Sequence, residues 1–282
     1  MKNSLILLLT VVAFTTHAQL NLPELSPDGK LIQNVGYVNV EISYGRPAAR
    51  GRRIFGELVP YGLVWRTGGG SPIKIQFDKS VTIGEKSIPA GAYTIVSIPN
   101  PEKWTILMNS NTKKIFGAQQ DGYDVATEVV RFDVTTQKTD RFYESFTLEL
   151  DIKNNDAELY ISWENTQVHF PIRTGSNAQT VKDIESYLAA NPTDADNLAY
   201  AAYYLGMNKL EPQRLLGYVD RALALEENGW YYELKMNLLA EAKRFDEARK
   251  TYQTAIEYLH KAKPEGWQET EQHLKDITEK WQ

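Results

Sequence analysis

Between about Val35 and Ile172 apolar residues recur at every second position, and after Arg173 they recur at helical spacing, so the chain divides into two halves of different period. In the first half, Val38, Val40, Ile42 and Tyr44 alternate with Asn39, Glu41 and Ser43, and Ile73, Ile75 and Phe77 alternate with Lys74 and Gln76. A period of two turns one row of side chains toward a core and the other toward water, which is the signature of a strand. The same alternation predicts strands over 93–98, 104–108, 129–134, 142–150, 159–163 and 168–172. Between them, Ile83-Gly84-Glu85, Pro89-Ala90-Gly91, Pro99-Asn100-Pro101 and Asn154-Asn155-Asp156 offer the dihedral angles that chain reversal needs. About nine short strands at this spacing predict an all-β antiparallel sandwich or barrel over residues 19–173.

Thr174-Gly175-Ser176-Asn177 is polar, and a linker is predicted over 174–178, followed by an all-α domain over 179–282. Helices are predicted at 179–190, 195–207, 212–226, 230–242, 246–261 and 265–281. Asn191-Pro192 ends the first, because proline disfavours a helical conformation in the residue before it, while Pro212 and Pro264 fall near first turns, where a missing N–H costs little. Tyr232, Leu239, Phe245, Ala248, Tyr252 and Ala255 have the spacing of a tetratricopeptide unit, in which small alanines let two antiparallel helices approach and aromatics fill the space above them. The preceding unit is degenerate, with Pro212 and Leu215 where aromatic and small residues belong, and another α-hairpin bundle is the alternative. Such arrays bind extended peptides, and Asn197, Tyr204, Asn237 and Arg244 are the candidates to line a groove for a protein or peptide partner.

The first 18 residues read differently from both halves. Lys2 precedes an apolar run from Leu5 to Phe14, and Thr16-His17-Ala18 puts small residues at the two positions that a signal peptidase inspects. The run is too short to span a bilayer, where roughly 20 apolar residues are needed. A secretory signal peptide over 1–18 is expected, cleaved near Ala18, with a periplasmic or extracellular bacterial product and no membrane span.

Charge and composition then narrow the function. With 31 Lys and Arg against 36 Asp and Glu, the net charge of −5 argues against a nucleic-acid binder. The absence of cysteine removes disulfides, thiolate nucleophiles and cysteine-ligated metals. His169, His260 and His273 show no metal-ligand spacing, and no Gly-x-Ser-x-Gly elbow exists, so neither a metal site, nor a cofactor, nor a catalytic triad is predicted.

The densest unusual segment is 44–67, where five arginines (Arg46, Arg50, Arg52, Arg53, Arg66) stand with no lysine and one acid, Glu57. Arginine's planar fork makes paired hydrogen bonds to a carboxylate or phosphate, and lysine offers only a mobile point charge. Tyr44, Phe55, Tyr61 and Trp65 interleave with these arginines, and aromatic faces suit stacking on a sugar ring. Tyr44, Arg46, Arg52, Arg53, Tyr61, Trp65 and Arg66 are therefore the candidate site for a carbohydrate or an acidic small molecule. The competing reading makes these arginines struts that pair with acids and pin a long loop to the sandwich.

Gly45-Arg46-Pro47, Gly51-Arg52-Arg53-Ile54-Phe55-Gly56, Leu58-Val59-Pro60-Tyr61-Gly62 and Val64-Trp65-Arg66-Thr67-Gly68 resemble the signature of a secreted bacterial family known only as domain of unknown function 2911. The blocks at 88–94 and 104–109 are similar to two further parts of it. The resemblance covers about 25–172 and implies an exported domain with no assigned activity and no catalytic residues to carry over. One departure is that Gly69-Gly70-Ser71-Pro72 stands where the family usually has a stretch like Ala-Asn-Glu-Ala. The function expected is an exported, non-enzymatic binding or scaffold protein. The rival is a carbohydrate-active hydrolase with a carboxylate pair, for which Asp121, Asp124 and Glu128 mark the loop to inspect.

Overall fold

The computed structural model describes residues 22–112 and 123–281. The predicted leader and Asp121 lie outside the described residues. The alternating half forms ten strands among the described residues: β1 (Asp28–Val35), β2 (Val38–Gly45), β3 (Ile73–Phe77), β4 (Val81–Ile83), β5 (Lys86–Ile88), β6 (Gly91–Ile98), β7 (Lys103–Asn109), β8 (Glu128–Thr135), β9 (Gln137–Lys153) and β10 (Asp156–Ile172). A six-stranded antiparallel sheet runs in the order β1-β2-β3-β6-β7-β8, a second sheet is the long β9–β10 hairpin, and β4–β5 is a small hairpin. Both main sheets are open, so the architecture is a sandwich and not a closed barrel.

The inner faces supply one core. Val40 and Ile42 of β2, Ile73 and Ile75 of β3, and Ile106 and Met108 of β7 meet Phe146 and Leu148 of β9 and Leu159 and Ile161 of β10. Two expectations change in detail. The stretches 159–163 and 168–172 are one strand, carried past the polar Glu164-Asn165 by bulges in which Glu164 takes a φ of 51°. The strand β1 was hidden by its composition, because an edge strand with Leu31 beside an exposed Ile32 needs no alternation. Turn chemistry is as expected: Gly84 and Glu85 have φ of 54° and 61°, and Asn154 and Asn155 have φ of 49° and 64°, closing two-residue hairpins.

Six helices follow: α1 (Ser176–Ala190), α2 (Ala195–Met207), α3 (Pro212–Leu225), α4 (Gly229–Glu241), α5 (Phe245–Ala262) and α6 (Trp267–Glu279). Each packs on the next, and α2, α4 and α6 also touch in succession. Ala199, Ala202, Ala222, Ala248 and Ala255 are fully buried, and small side chains at these crossings let the helix axes approach. Asp194 caps α2 by accepting from Asn197 N–H at 3.0 Å, and Asn228 caps α4 by accepting from Trp230 N–H at 2.9 Å. No helix among the described residues is long and apolar enough to cross a membrane.

The halves join tightly. α1 begins at Ser176, three residues before its periodicity becomes visible, and Thr174 N–H donates to Asp156 at 2.8 Å. The β1–β2 turn rests on the helix start, where Tyr37 N–H donates to Ser176 Oγ at 2.9 Å. Only glycine fits beside this contact, since a Cβ on Gly36 would lie 2.3 Å from that Oγ.

Candidate functional site

After Gly45 the chain leaves β2 and crosses to the other layer. Pro47 C=O accepts from Phe146 N–H at 2.8 Å and Ala49 N–H donates to Glu144 C=O at 2.7 Å, so the 46–49 segment pairs with β9. Twenty residues on it returns, and Trp65 exchanges backbone hydrogen bonds of 2.7 and 2.9 Å with Ser97 of β6. The segment 46–72 thereby closes one end of the sandwich. A cleft of about 280 Å³ opens there, lined by Arg50, Arg52, Arg66, Trp65, Trp163 and the backbone of Gly68 to Gly70, with Leu25, Pro47, Leu58 and Val59 as apolar wall.

The structure divides the seven sequence candidates. Arg52, Trp65 and Arg66 line the cleft. Tyr44, at 4% exposure, is a core residue packed edge-on against Phe146. Arg46 is a strut: its Nε donates to Phe146 C=O at 3.2 Å and its Nη2 to Thr147 Oγ1 at 3.3 Å. Arg53 is exposed and pairs with Glu57 at 3.5 Å, and Tyr61 covers Gly56; neither lines the cleft. Trp65 is not the exposed platform that stacking on a sugar requires. At 5% exposure it sits among Phe55, Trp104, Phe146 and Trp163, because a loop that closes a sandwich must bury its largest apolar side chain. Arg50 and Trp163 are the residues sequence reasoning missed. Arg50 was one arginine among five, and Trp163 lies in a strand about a hundred positions away.

Two of the three arginines of the cleft, Arg50 and Arg52, are held by main-chain carbonyls and not by acids. Arg52 donates from Nε to Ala49 C=O at 3.0 Å and from Nη2 to Ala48 C=O at 2.8 Å; Arg50 donates to Leu25 C=O at 2.9 Å. Arg66, half-buried, has no hydrogen-bond or ion-pair partner among the described residues. Two carboxylates beside this segment are turned to backbone: Glu144 accepts from Arg50 N–H at 2.7 Å and Glu164 from Ile54 N–H at 3.1 Å. Trp65 Nε1 also has no hydrogen-bond partner among the described residues, and Trp65 belongs to the cleft lining. The result is a pocket rich in donors whose three arginines have no ion-pair partner among the described residues and whose lining holds no carboxylate.

Backbone geometry fixes this arrangement. Thr67, β-branched and fully buried, takes a φ of 58°, a conformation that costs of the order of 1–3 kcal/mol. Its hydroxyl bonds Trp65 C=O at 3.1 Å and Ser97 Oγ at 2.8 Å, which anchors the turn and sets Arg66 and Gly68 to either side of it. Gly45 is obligatory, because a Cβ there would lie 1.8 Å from Gly69 C=O.

The other candidates are placed as follows. Asn197 and Tyr204 line a pocket at the domain junction, and Asn237 lines a separate groove between α2 and α4. Arg244 lines neither and is forked onto Glu247 by two hydrogen bonds of 2.6 Å. Each of the three histidines among the described residues meets a glutamate: His169 with Glu158, His260 with Glu271, His273 with Glu233. No cluster of potential metal ligands occurs among the described residues. Asp124 caps a short 3-10 turn at Val125–Thr127, and Glu128 is engaged by Arg131, whose hydrogen bonds hold its carboxyl below the ordinary range.

The fold and the cleft define a β-sandwich with a donor-lined cleft at one end, extended by a helical domain. The chain belongs to the family described as protein of unknown function (DUF2911), which matches residues 26–172. That match contains every residue of the cleft except Leu25. No curated protein and no solved structure matches the chain.

Proposed function

We propose that this chain is an exported, non-enzymatic binding protein whose β domain holds an anionic ligand, a carboxylate-bearing sugar or another small acid, in the arginine cleft. The observation that supports it is the convergence of Arg50, Arg52 and Arg66 on one cleft without an acid in its lining. The Arg50 and Arg52 guanidinium groups, oriented by backbone carbonyls, keep their remaining N–H groups for paired contacts to an oxyanion, and Arg66 brings a fork with no partner among the described residues. Export follows from the leader at 1–18. A two-carboxylate hydrolase would have to act elsewhere, since this lining holds neither Asp nor Glu. The helices read as a tetratricopeptide-like array that docks a partner protein, a reading supported by the buried alanines and the succession α2, α4, α6.

The test is calorimetric titration of the full-length mature chain with glucuronate, galacturonate, sulfate and phosphate at two salt concentrations. Binding that weakens with salt and is lost in Arg66→Gln supports the cleft. Binding of none of these anions, or equal binding by the variant, removes it. Partner docking is checked by crosslinking in the host envelope, with crosslinks mapped to 200–241 as the expected outcome.

A further inference from the structure

A second pocket, of about 520 Å³, lies where the β1–β2 turn meets α1 and α2. That volume is in the range of small-molecule sites. Tyr37 comes from the turn, Asp183 and Tyr187 from α1, and Asn197, Tyr200 and Tyr204 from α2. Its chemistry is the opposite of the arginine cleft, for no arginine or lysine lines it.

The four tyrosines make no ring-to-ring contact with one another among the described residues, and Tyr37, Tyr187 and Tyr200 are exposed. Tyr200 is 58% exposed and continues into an aromatic strip, with Trp230 at 4.9 Å and Tyr203 at 6.2 Å from that indole. Donors and acceptors are interspersed around these faces. Tyr37 Oη accepts from Thr180 at 3.2 Å and Tyr204 Oη accepts from Asn155 at 2.8 Å, and neither phenol proton has an acceptor among the described residues. Asp183 receives only the Gln179 amide, at 2.7 Å, and has no ion-pair partner among the described residues. Asn197 spends its amide protons on Tyr187 Oη at 3.2 Å and Asp194 at 2.9 Å, which leaves its carbonyl oxygen free.

We infer that this junction pocket is a site for a neutral sugar. A hydroxyl both donates and accepts, so a sugar ring matches phenol protons on one side and Asp183 with the Asn197 carbonyl on the other. Its C–H face stacks on an exposed tyrosine. An anion meets Asp183, with no arginine or lysine in the lining to offset it. A cationic ligand suits Asp183 but leaves the phenol protons without an acceptor, and Lys79 already stands 5.5 Å from the Tyr37 ring. The walls are pre-set by hydrogen bonds across the junction, Tyr37 N–H to Ser176 at 2.9 Å and Asn155 to Asn177 at 2.9 Å, so little ordering is left for binding to supply.

The experiment is saturation-transfer NMR and calorimetry on the full-length mature chain with maltotriose, cellotriose, mannotriose and triacetylchitotriose, and with tetramethylammonium as the cationic arm. At least one trisaccharide is expected to bind, roughly tenfold more weakly in Tyr200→Ala and several-fold more weakly in Asp183→Asn. Both side chains are exposed, so thermal unfolding of the variants reports that the fold is kept. Arg66→Gln is expected to leave sugar binding unchanged, which separates this site from the arginine cleft. The inference is overturned by binding of no trisaccharide, by binding of tetramethylammonium alone, by equal binding in Tyr200→Ala and Asp183→Asn, or by loss of sugar binding in Arg66→Gln.

Discussion

The indole rings of Trp65 and Trp163 lie 14° from parallel with centroids 6.1 Å apart, and both line the arginine cleft. Core and site are thus the same residues seen from two sides. Trp65→Ala is expected to cost about 3–5 kcal/mol of stability, the range for removing a buried indole. It cannot separate recognition from folding, whereas Trp65→Phe keeps an aromatic ring in the core and removes the indole N–H together with part of the buried bicycle. Urea unfolding with anion titration checks both: a stable Trp65→Phe with unweakened anion binding shows that Nε1 makes no ligand contact.

Arg46 and Arg66 are neighbours in composition and opposites in role. Arg46→Gln breaks two hydrogen bonds to β9 and is expected to lower stability by about 1–2 kcal/mol while anions still bind. Arg66→Gln is expected to unfold within about 0.5 kcal/mol of the parent and to lose at least tenfold in anion affinity. A reversed pattern in paired melts and titrations would exchange their roles.

Gly45→Ala places a methyl group against Gly69 C=O and forces the 68–71 segment outward. The expected cost is about 1–3 kcal/mol, the range for overpacking, together with weaker anion binding because Gly68 to Gly70 form one wall. Gly51→Ala, at a site with nothing within 4 Å of the new methyl, is the comparison, although its φ of 70° makes it mildly strained. A Gly45→Ala chain that melts like the parent contradicts the close approach.

Burial, reinforced by hydrogen bonds to Asp196 and Glu227, pushes the Tyr231 and Tyr232 phenols well above the ordinary value of 10.0. A raised folded-state pKa means that the associated stability is complete below pH about 10 and falls as pH rises above it. Melting temperature is expected to drop steadily between pH 10 and 12, and less steeply in Tyr231→Phe, which starts lower at pH 8 for want of the Asp196 bond. A parent and variant with identical slopes would assign the alkaline loss to other groups.

Local pattern carried the secondary structure, since strand alternation at 38–44 and helical spacing from 179 onward each follow from one buried face. It failed where that condition lapses: in β1, an edge strand, and at Glu164-Asn165, where a bulge keeps one strand continuous. The arginine segment was recognisable as unusual, yet its parts were not separable. Arg46, Arg52 and Arg66 share one side-chain chemistry, and what differs among them is whether the guanidinium meets a carbonyl from 100 positions away, one from three positions away, or none among the described residues.

The sequence by itself determined the two periods, the turn positions, the acidic balance and the family-like blocks around 45–68, because each depends on residues near one another in the chain. Only the tertiary structure decided that Trp65 is buried, that Arg50 and Trp163 join the cleft, and that Tyr37 meets α1 and α2. Those outcomes depend on which surfaces the two sheets and the first helices present to each other, and packing across such distances leaves no local period to read.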